Sequence, residues 1–145
     1  MKKRTQSSNL KKGILLAFTL MLSLLLLTAC SSKLPEGFDQ AEVEREAQSV
    51  ITLLSERNTA NNEIIREMGT ENLKTSFTDD VFDEVYEIIN KVGEFEKFTD
   101  TKVAGSSQNE QAYVIAVVKA KYDKKNLVYT ISFDKNMKLA GVFIK

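Results

Sequence analysis

Residues 111–122, QAYVIAVVKAKY, and 127–134, LVYTISFD, decide the fold. Both alternate in side-chain character with a period of two, the pattern of strands, and only Asp123–Asn126 separates them. A connection that short forces antiparallel neighbours. Lys135-Asn136 makes the next turn, and 138–145, KLAGVFIK, is the last strand. Upstream, residues 97–104 read as a weaker first strand, followed by a loop over Gly105–Glu110, GSSQNE. The second half of the chain is therefore expected to be a four-stranded antiparallel meander.

The two faces of this sheet differ. Ala112, Val114, Ala116, Val118 and Ala120 share one face, small enough to let a helix approach closely. Gln111, Tyr113, Ile115, Val117, Lys119 and Lys121 share the other, apolar at its centre and charged at one end. In the next strand Leu127, Tyr129, Ile131 and Phe133 oppose Val128, Thr130, Ser132 and Asp134. One face is fully apolar and the other partly so. The surplus apolar area has to meet the remaining helices, a ligand or a second copy.

Ahead of the strands the period is helical. A first helix starts at Asp39, with Glu42 at capping-box spacing, and carries the stripe Val43, Ala47, Val50, Ile51, Leu54. Thr59–Asn62 reads as a turn. A short second helix holds Ile64, Ile65 and Met68, with Gly69 expected to stop it in the left-handed region. Thr78 caps a third helix, with Asp79 and Asp80 in the first turn where the dipole favours acids. Its stripe is Val81, Phe82, Val85, Ile88, Ile89 and Val92, and Gly93 ends it. The expected class is α+β, with N-terminal helices packed on a curved C-terminal meander.

The first 30 residues belong to a different kind of segment. A basic stretch, Met1–Lys12, precedes the apolar run Ile14–Leu27, ILLAFTLMLSLLLL. Its 14 residues suit the core of an export signal. They fall short of the roughly 20 that a spanning helix needs. The run ends in Leu27-Thr28-Ala29-Cys30, which resembles the bacterial lipobox. That resemblance implies a diacylglycerol on the sulfur of Cys30 and cleavage before it, two acyl chains making a stable anchor. Residues 1–29 are then a lipoprotein signal peptide, and residues 30–38 the lipidated cysteine and a polar tether. Residues 39–145 form a single α+β domain. The protein is placed on the outer face of the bacterial cytoplasmic membrane.

Composition narrows the chemistry. The 145 residues include 20 basic and 20 acidic side chains, no His, no Trp, one Cys and one Pro. Without His, and with its one Cys expected to carry lipid, the chain has no Ser-His-Asp triad, Cys-His dyad or Cys/His zinc site. The five basic residues of the signal segment conceal an acidic remainder of 15 basic against 20 acidic groups, a net −5. Such a domain repels phosphate backbones, so nucleic acid is not an expected partner.

The stretch Tyr129–Ile144, YTISFDKNMKLAGVFI, resembles the end of the family called domain of unknown function 3887. In that family a Phe-Asp-x-x-x-Lys-Ile/Leu-Ala-Gly hairpin finishes the domain, and Phe133, Asp134, Lys138, Leu139, Ala140 and Gly141 match it. The resemblance implies a cone-shaped fold of the nuclear-transport-factor-two-like or cystatin-like kind, often enclosing a pocket. No catalytic motif comes with it. The family's Gly in the terminal turn is replaced here by Asn136-Met137, which Asn supports through its tolerance of the left-handed region.

Site candidates follow from these readings. Tyr86, Tyr113, Tyr129, Phe133 and Phe143 would line a pocket for an apolar or sugar-like ligand, or else serve as core. Asp134 beside Tyr129 or Tyr113 would imitate a pocket acid–base pair, or else open a hairpin turn. Asp79, Asp80, Asp83 and Glu84 lack calcium-loop spacing and read as a helix start. Lys119, Lys121, Lys124 and Lys125 make a basic patch at one sheet end, read as a solvated edge. No catalytic residue, metal or cofactor is assigned. The expected function is a lipid-anchored binding or interaction domain without catalysis of its own; the alternatives are a small acid–base enzyme using a pocket carboxylate and a structural adaptor for a membrane or wall partner. The partners considered are the membrane, an unknown small ligand or protein, and a second copy of the chain.

Overall fold

The computed structural model describes residues 33–145; the signal segment and Cys30 lie outside the described residues. Among the described residues four helices precede four strands: α1 (Gln40–Ser55), α2 (Ala60–Met68), α3 (Glu71–Ser76), α4 (Asp79–Val92), β1 (Phe95–Gln108), β2 (Gln111–Tyr122), β3 (Asn126–Asp134) and β4 (Leu139–Ile144). The sheet order β1-β2-β3-β4 is the antiparallel meander expected from the sequence. Among the described residues no helix is long and apolar enough to cross a membrane.

Helix starts follow their caps. Asp39 accepts a hydrogen bond from the Glu42 amide at 2.9 Å, and Thr78 accepts one from Val81 at 3.4 Å. The stripe Val43, Ala47, Val50, Ile51 and Leu54 is wholly buried, and α1 lies against β1, β2 and β3. On the sheet, Ala116 pairs with Ile131, Ala120 with Leu127 and Val118 with Tyr129. Small side chains on β2 thus alternate with large ones on β3, leaving room for the helix above the centre of the sheet.

Four local expectations are corrected. Gly69 is extended, with φ −84° and ψ 160°, because it bridges in parallel to Leu139 at the sheet edge. The chain then starts α3, unforeseen in the sequence, with Thr70 capping the Leu73 amide and Leu73 buried. Thr59–Asn62 is not a turn, since α2 already begins at Ala60. Its inward side is Asn61, Asn62 and Ile65, while Ile64 is 47% exposed. Asn61 donates to the Leu53 carbonyl at the end of α1 (3.0 Å), and Asn62 accepts from the Tyr86 hydroxyl (2.5 Å). These polar groups tie α2 to its neighbours where periodicity favoured an apolar contact.

The other two corrections concern turns. GSSQNE is not a loop: β1 continues to Gln108, and Asn109 and Glu110, with φ 50° and 63°, close a two-residue hairpin. Two successive left-handed residues match the twist of the flanking strands. In the β3–β4 turn Met137, not Asn136, takes the left-handed conformation (φ 57°). Asp134 stabilises this turn, its Oδ1 accepting the Asn136 and Lys138 amides at 2.9 Å each.

Residues 33–38 also depart from a free tether. Leu34 and Phe38 pack against the core, and Pro35 lies so close to Gly105 that a Cβ there would stand 2.7 Å from Pro35 Cδ. The folded unit therefore begins before Asp39.

Candidate functional site

The layer between helices and sheet is filled by the domain's own side chains. Phe82, Tyr122, Tyr129 and Phe133 are its largest fully buried members. Ser55 Oγ, Tyr122 Oη and Tyr129 Oη form a buried chain with 2.6 Å links. Burial, with Tyr122 as neighbour, pushes the Tyr129 hydroxyl pKa upward, so this phenol stays protonated and cements the core.

Three expected pocket residues are accordingly core residues. Tyr129 and Phe133 point into the helix–sheet layer, and Tyr86 is 7% exposed with its hydroxyl held by Asn62. Their strand and helix parity puts them on the inward face, where aromatic volume is needed. Phe143 is the opposite case: it is 60% exposed on the face of the sheet turned away from α1. Val117, Thr130 and Phe143 form one cross-strand row there, and Val117 is 38% exposed.

Tyr113 does line a cavity, of about 370 Å³, on this face. The floor comes from adjacent strands. Gln108 pairs with Gln111, Ser106 with Tyr113 and Tyr113 in turn with Asp134, while Ile115 pairs with Ser132. Thr70 and Asn72, from the start of α3, and Ala140, from β4, complete the lining. The Thr70 amide donates to the Leu139 carbonyl at 2.9 Å, which fixes this wall to the edge of the sheet.

The cavity brings Tyr113 together with Asp134, one of the two pairings considered from the sequence, and leaves Tyr129 apart from both. The Tyr113 hydroxyl donates to Gln111 Oε1 at 3.0 Å. Asp134 is the sole ionisable carboxylate in the lining, and its Oδ1 already serves the turn. The rest of the polar lining consists of hydroxyls and carboxamides. Such groups hold a ligand by donating and accepting together, without a charge change.

Ser106, Gln108, Thr70 and Asn72 escaped the sequence reading. The first two lie in a stretch of loop composition, and the last two at a six-residue helix too short to show a period. The available signal was Asn109-Glu110 as a hairpin turn, which would have carried the alternation back through Gln108 and Ser106.

The acidic residues at the start of α4 have structural work. Asp79 pairs with Arg66, whose guanidinium holds the Asp79 carboxyl below its ordinary pKa, and Arg66 also caps the Phe77 carbonyl at 2.8 Å. Among the described residues no group of three or more acidic, Cys or His side chains is assembled for a metal. On the basic patch, Lys121 is paired with Glu96.

Comparison with known proteins places this architecture. The chain is similar to the NMR structure of a protein from Ruminococcus gnavus ATCC 29149, with a TM-score of 0.68 and 27% identity. That similarity covers 77% of this chain and 95% of the other. No curated protein matches. The model of the family described as "Protein of unknown function (DUF3887)" matches residues 47–142, from the middle of α1 to β4 and across every element of the cavity. The chain belongs to that family of proteins of unknown function, DUF3887.

Proposed function

We propose that the protein is a lipid-anchored, extracytoplasmic binding domain without catalysis of its own, held by Cys30 at the outer face of the bacterial cytoplasmic membrane. The observation that carries the binding reading is the cavity on the sheet face turned away from α1, lined by hydroxyls and carboxamides and walled by α3. The lipobox Leu27-Thr28-Ala29-Cys30 supports the anchor. The helix-then-meander order supports a relationship to nuclear-transport-factor-two-like and cystatin-like folds, although here the space between the layers is filled.

Two experiments test this reading. Metabolic labelling with palmitate should tag the wild-type chain and not Cys30→Ala; equal labelling of both removes the anchor. Native mass spectrometry of the protein purified gently from its own cells should show an adduct lost on denaturation. A bare single-chain mass argues against a retained ligand. Twice the chain mass would instead assign the Val117–Thr130–Phe143 row to contact with a second copy.

A second reading, a small acid–base enzyme, is favoured by the cross-strand pairing of Tyr113 with Asp134. It requires Asp134→Asn to abolish a turnover at unchanged stability. Loss of stability alone returns Asp134 to its turn.

A further inference from the structure

The chemistry of the cavity lining selects a class of ligand, given the binding reading above on which this step rests. No lining residue is cationic, and the one charged group is the carboxylate of Asp134. A phosphate or carboxylate ligand would find repulsion and no counter-charge. An acyl chain would leave the hydroxyls of Ser106 and Ser132 and the carboxamides of Gln108 and Gln111 desolvated without partners, at a cost for each. What these groups do satisfy is a ligand whose own groups both donate and accept. Carboxamides and hydroxyls have that same dual capacity, and Asp134 Oδ2, which takes no part in the turn bonds, adds an acceptor.

The apolar part of the lining is equally specific. Tyr113 and Ile115 lie two residues apart on β2 and share one face, giving a short apolar strip between polar rims. A pyranose ring is amphipathic in the same way, with C–H groups on its faces and hydroxyls around its edge. Tyr113 supplies an aromatic surface of the kind that packs against such a face. The volume, about 370 Å³, lies at the small end of ligand sites and limits the ligand to one or two rings.

We infer that the cavity between β1, β2, β3 and the start of α3 binds an uncharged saccharide unit, its face on Tyr113 and its hydroxyls on the surrounding carboxamides and hydroxyls. The saccharide has two available sources, the headgroup of a glycolipid or a free or wall-derived sugar.

The test is a titration of residues 32–145, which hold together as one compact unit, followed by amide NMR. The probes are glucose, maltose, N-acetylglucosamine and its dimer at millimolar concentration, against inorganic phosphate and decanoate. Expected are shifts confined to amides around Ser106–Tyr113, Ser132–Asp134 and Thr70–Asn72, with one saccharide preferred. Affinity should fall about tenfold or more in Tyr113→Ala. Ser106→Leu, which fills the cavity without touching the core face, should give the same loss and guards against a misfolded Tyr113 variant. Shifts at these amides with phosphate or decanoate and none with sugars overturn the saccharide class and leave the binding reading standing. No shift with any probe overturns both. Pelleting of the same chain with vesicles containing glucosyl-diacylglycerol, reversed by free glucose, identifies the lipid-linked source; binding of free sugar without pelleting identifies the other.

Discussion

Gly93→Ala tests how the helical half is joined to the sheet. Gly93 ends α4 with φ 92° and ψ −149°, a conformation that only glycine adopts without strain. Forcing alanine into it costs about 1–3 kcal/mol. There is a second cost in space: a Cβ on Gly93 would stand 1.6 Å from Asp123 Oδ1. That oxygen accepts the Glu94 amide at 2.9 Å, so Asp123 has to swing away and abandon the bond. A lost hydrogen bond of this kind costs about 1 kcal/mol. The sum is about 2–4 kcal/mol, a large share of the roughly 5–15 kcal/mol that stabilises a domain.

The two costs separate in a double-mutant cycle read by urea denaturation. Asp123→Ala alone should cost about 1 kcal/mol, because Glu94 loses its acceptor. In that background Gly93→Ala should cost only the backbone strain, so the two substitutions couple by about 1 kcal/mol. A Gly93→Ala variant destabilised by less than about 1 kcal/mol would refute the conformational argument. An equal cost in both backgrounds would refute the clash with Asp123.

Three further outcomes are expected. Tyr122→Phe should cost about 2 kcal/mol and Tyr129→Phe about 1 kcal/mol in the same denaturation assay, because Tyr122 stands in the middle of the hydroxyl chain and its loss removes both 2.6 Å links, leaving Ser55 and Tyr129 only each other. The Tyr86 and Tyr129 hydroxyls both have pKa values raised above 10.0 by burial. Their contribution is thus fully present below about pH 10 and lost as pH rises above it, where the unfolded chain gives up protons that the fold retains; a melting temperature unchanged between pH 9 and pH 11 would contradict this. Gly105→Ala should release residues 33–38 to proteolysis with little change in the global unfolding midpoint, since it displaces Pro35 and the Lys33 carbonyl from β1.

The sequence was most legible where one physical signal acted alone. The stripe of α1 and the alternation of β2 and β3 report burial directly, and all of their expected inward residues from Val114 to Ala120 and Leu127 to Phe133 are buried. Legibility failed where two signals competed. Gly105, Ser106 and Ser107 have loop composition, yet pairing with Val114, Tyr113 and Ala112 keeps them in a strand. Asn61 and Asn62 have surface composition, yet both are buried and each bonds a particular neighbour. Tyr86, Tyr129 and Phe133 were weighed as pocket or core, and only the packing of the layers decides between these, because aromatic residues suit both. The cavity inherits this difficulty in part: Tyr113 and Asp134 lie on strands legible in the sequence, whereas Ser106, Gln108, Thr70 and Asn72 lie on stretches whose composition points elsewhere.

The hairpin motif that relates this chain to its family links core and cavity through one extra residue. Val142, partly buried, packs against the core opposite Ile131, and Leu139 is buried in it opposite Phe133. Three positions separate Val142 from Leu139, an odd number, so a regular strand would turn one of them to the solvent. The register shift between Ser132 and Phe133 absorbs the surplus, leaving Ala140 as the added residue. Ala140 thereby lies in the cavity lining, and Gly141 opposite Ser132 leaves the space that a Cβ would close to 2.9 Å from Ser132 Oγ. Asp134 closes the turn that makes the bulge reachable, with its Oδ1 on two amides. The motif positions Phe133 and Leu139 thus serve the core while Asp134, Ala140 and Gly141 shape the wall of the cavity. Core packing, a turn and a bulge thus account for these motif positions, and the same bulge carries Ala140 into the cavity lining.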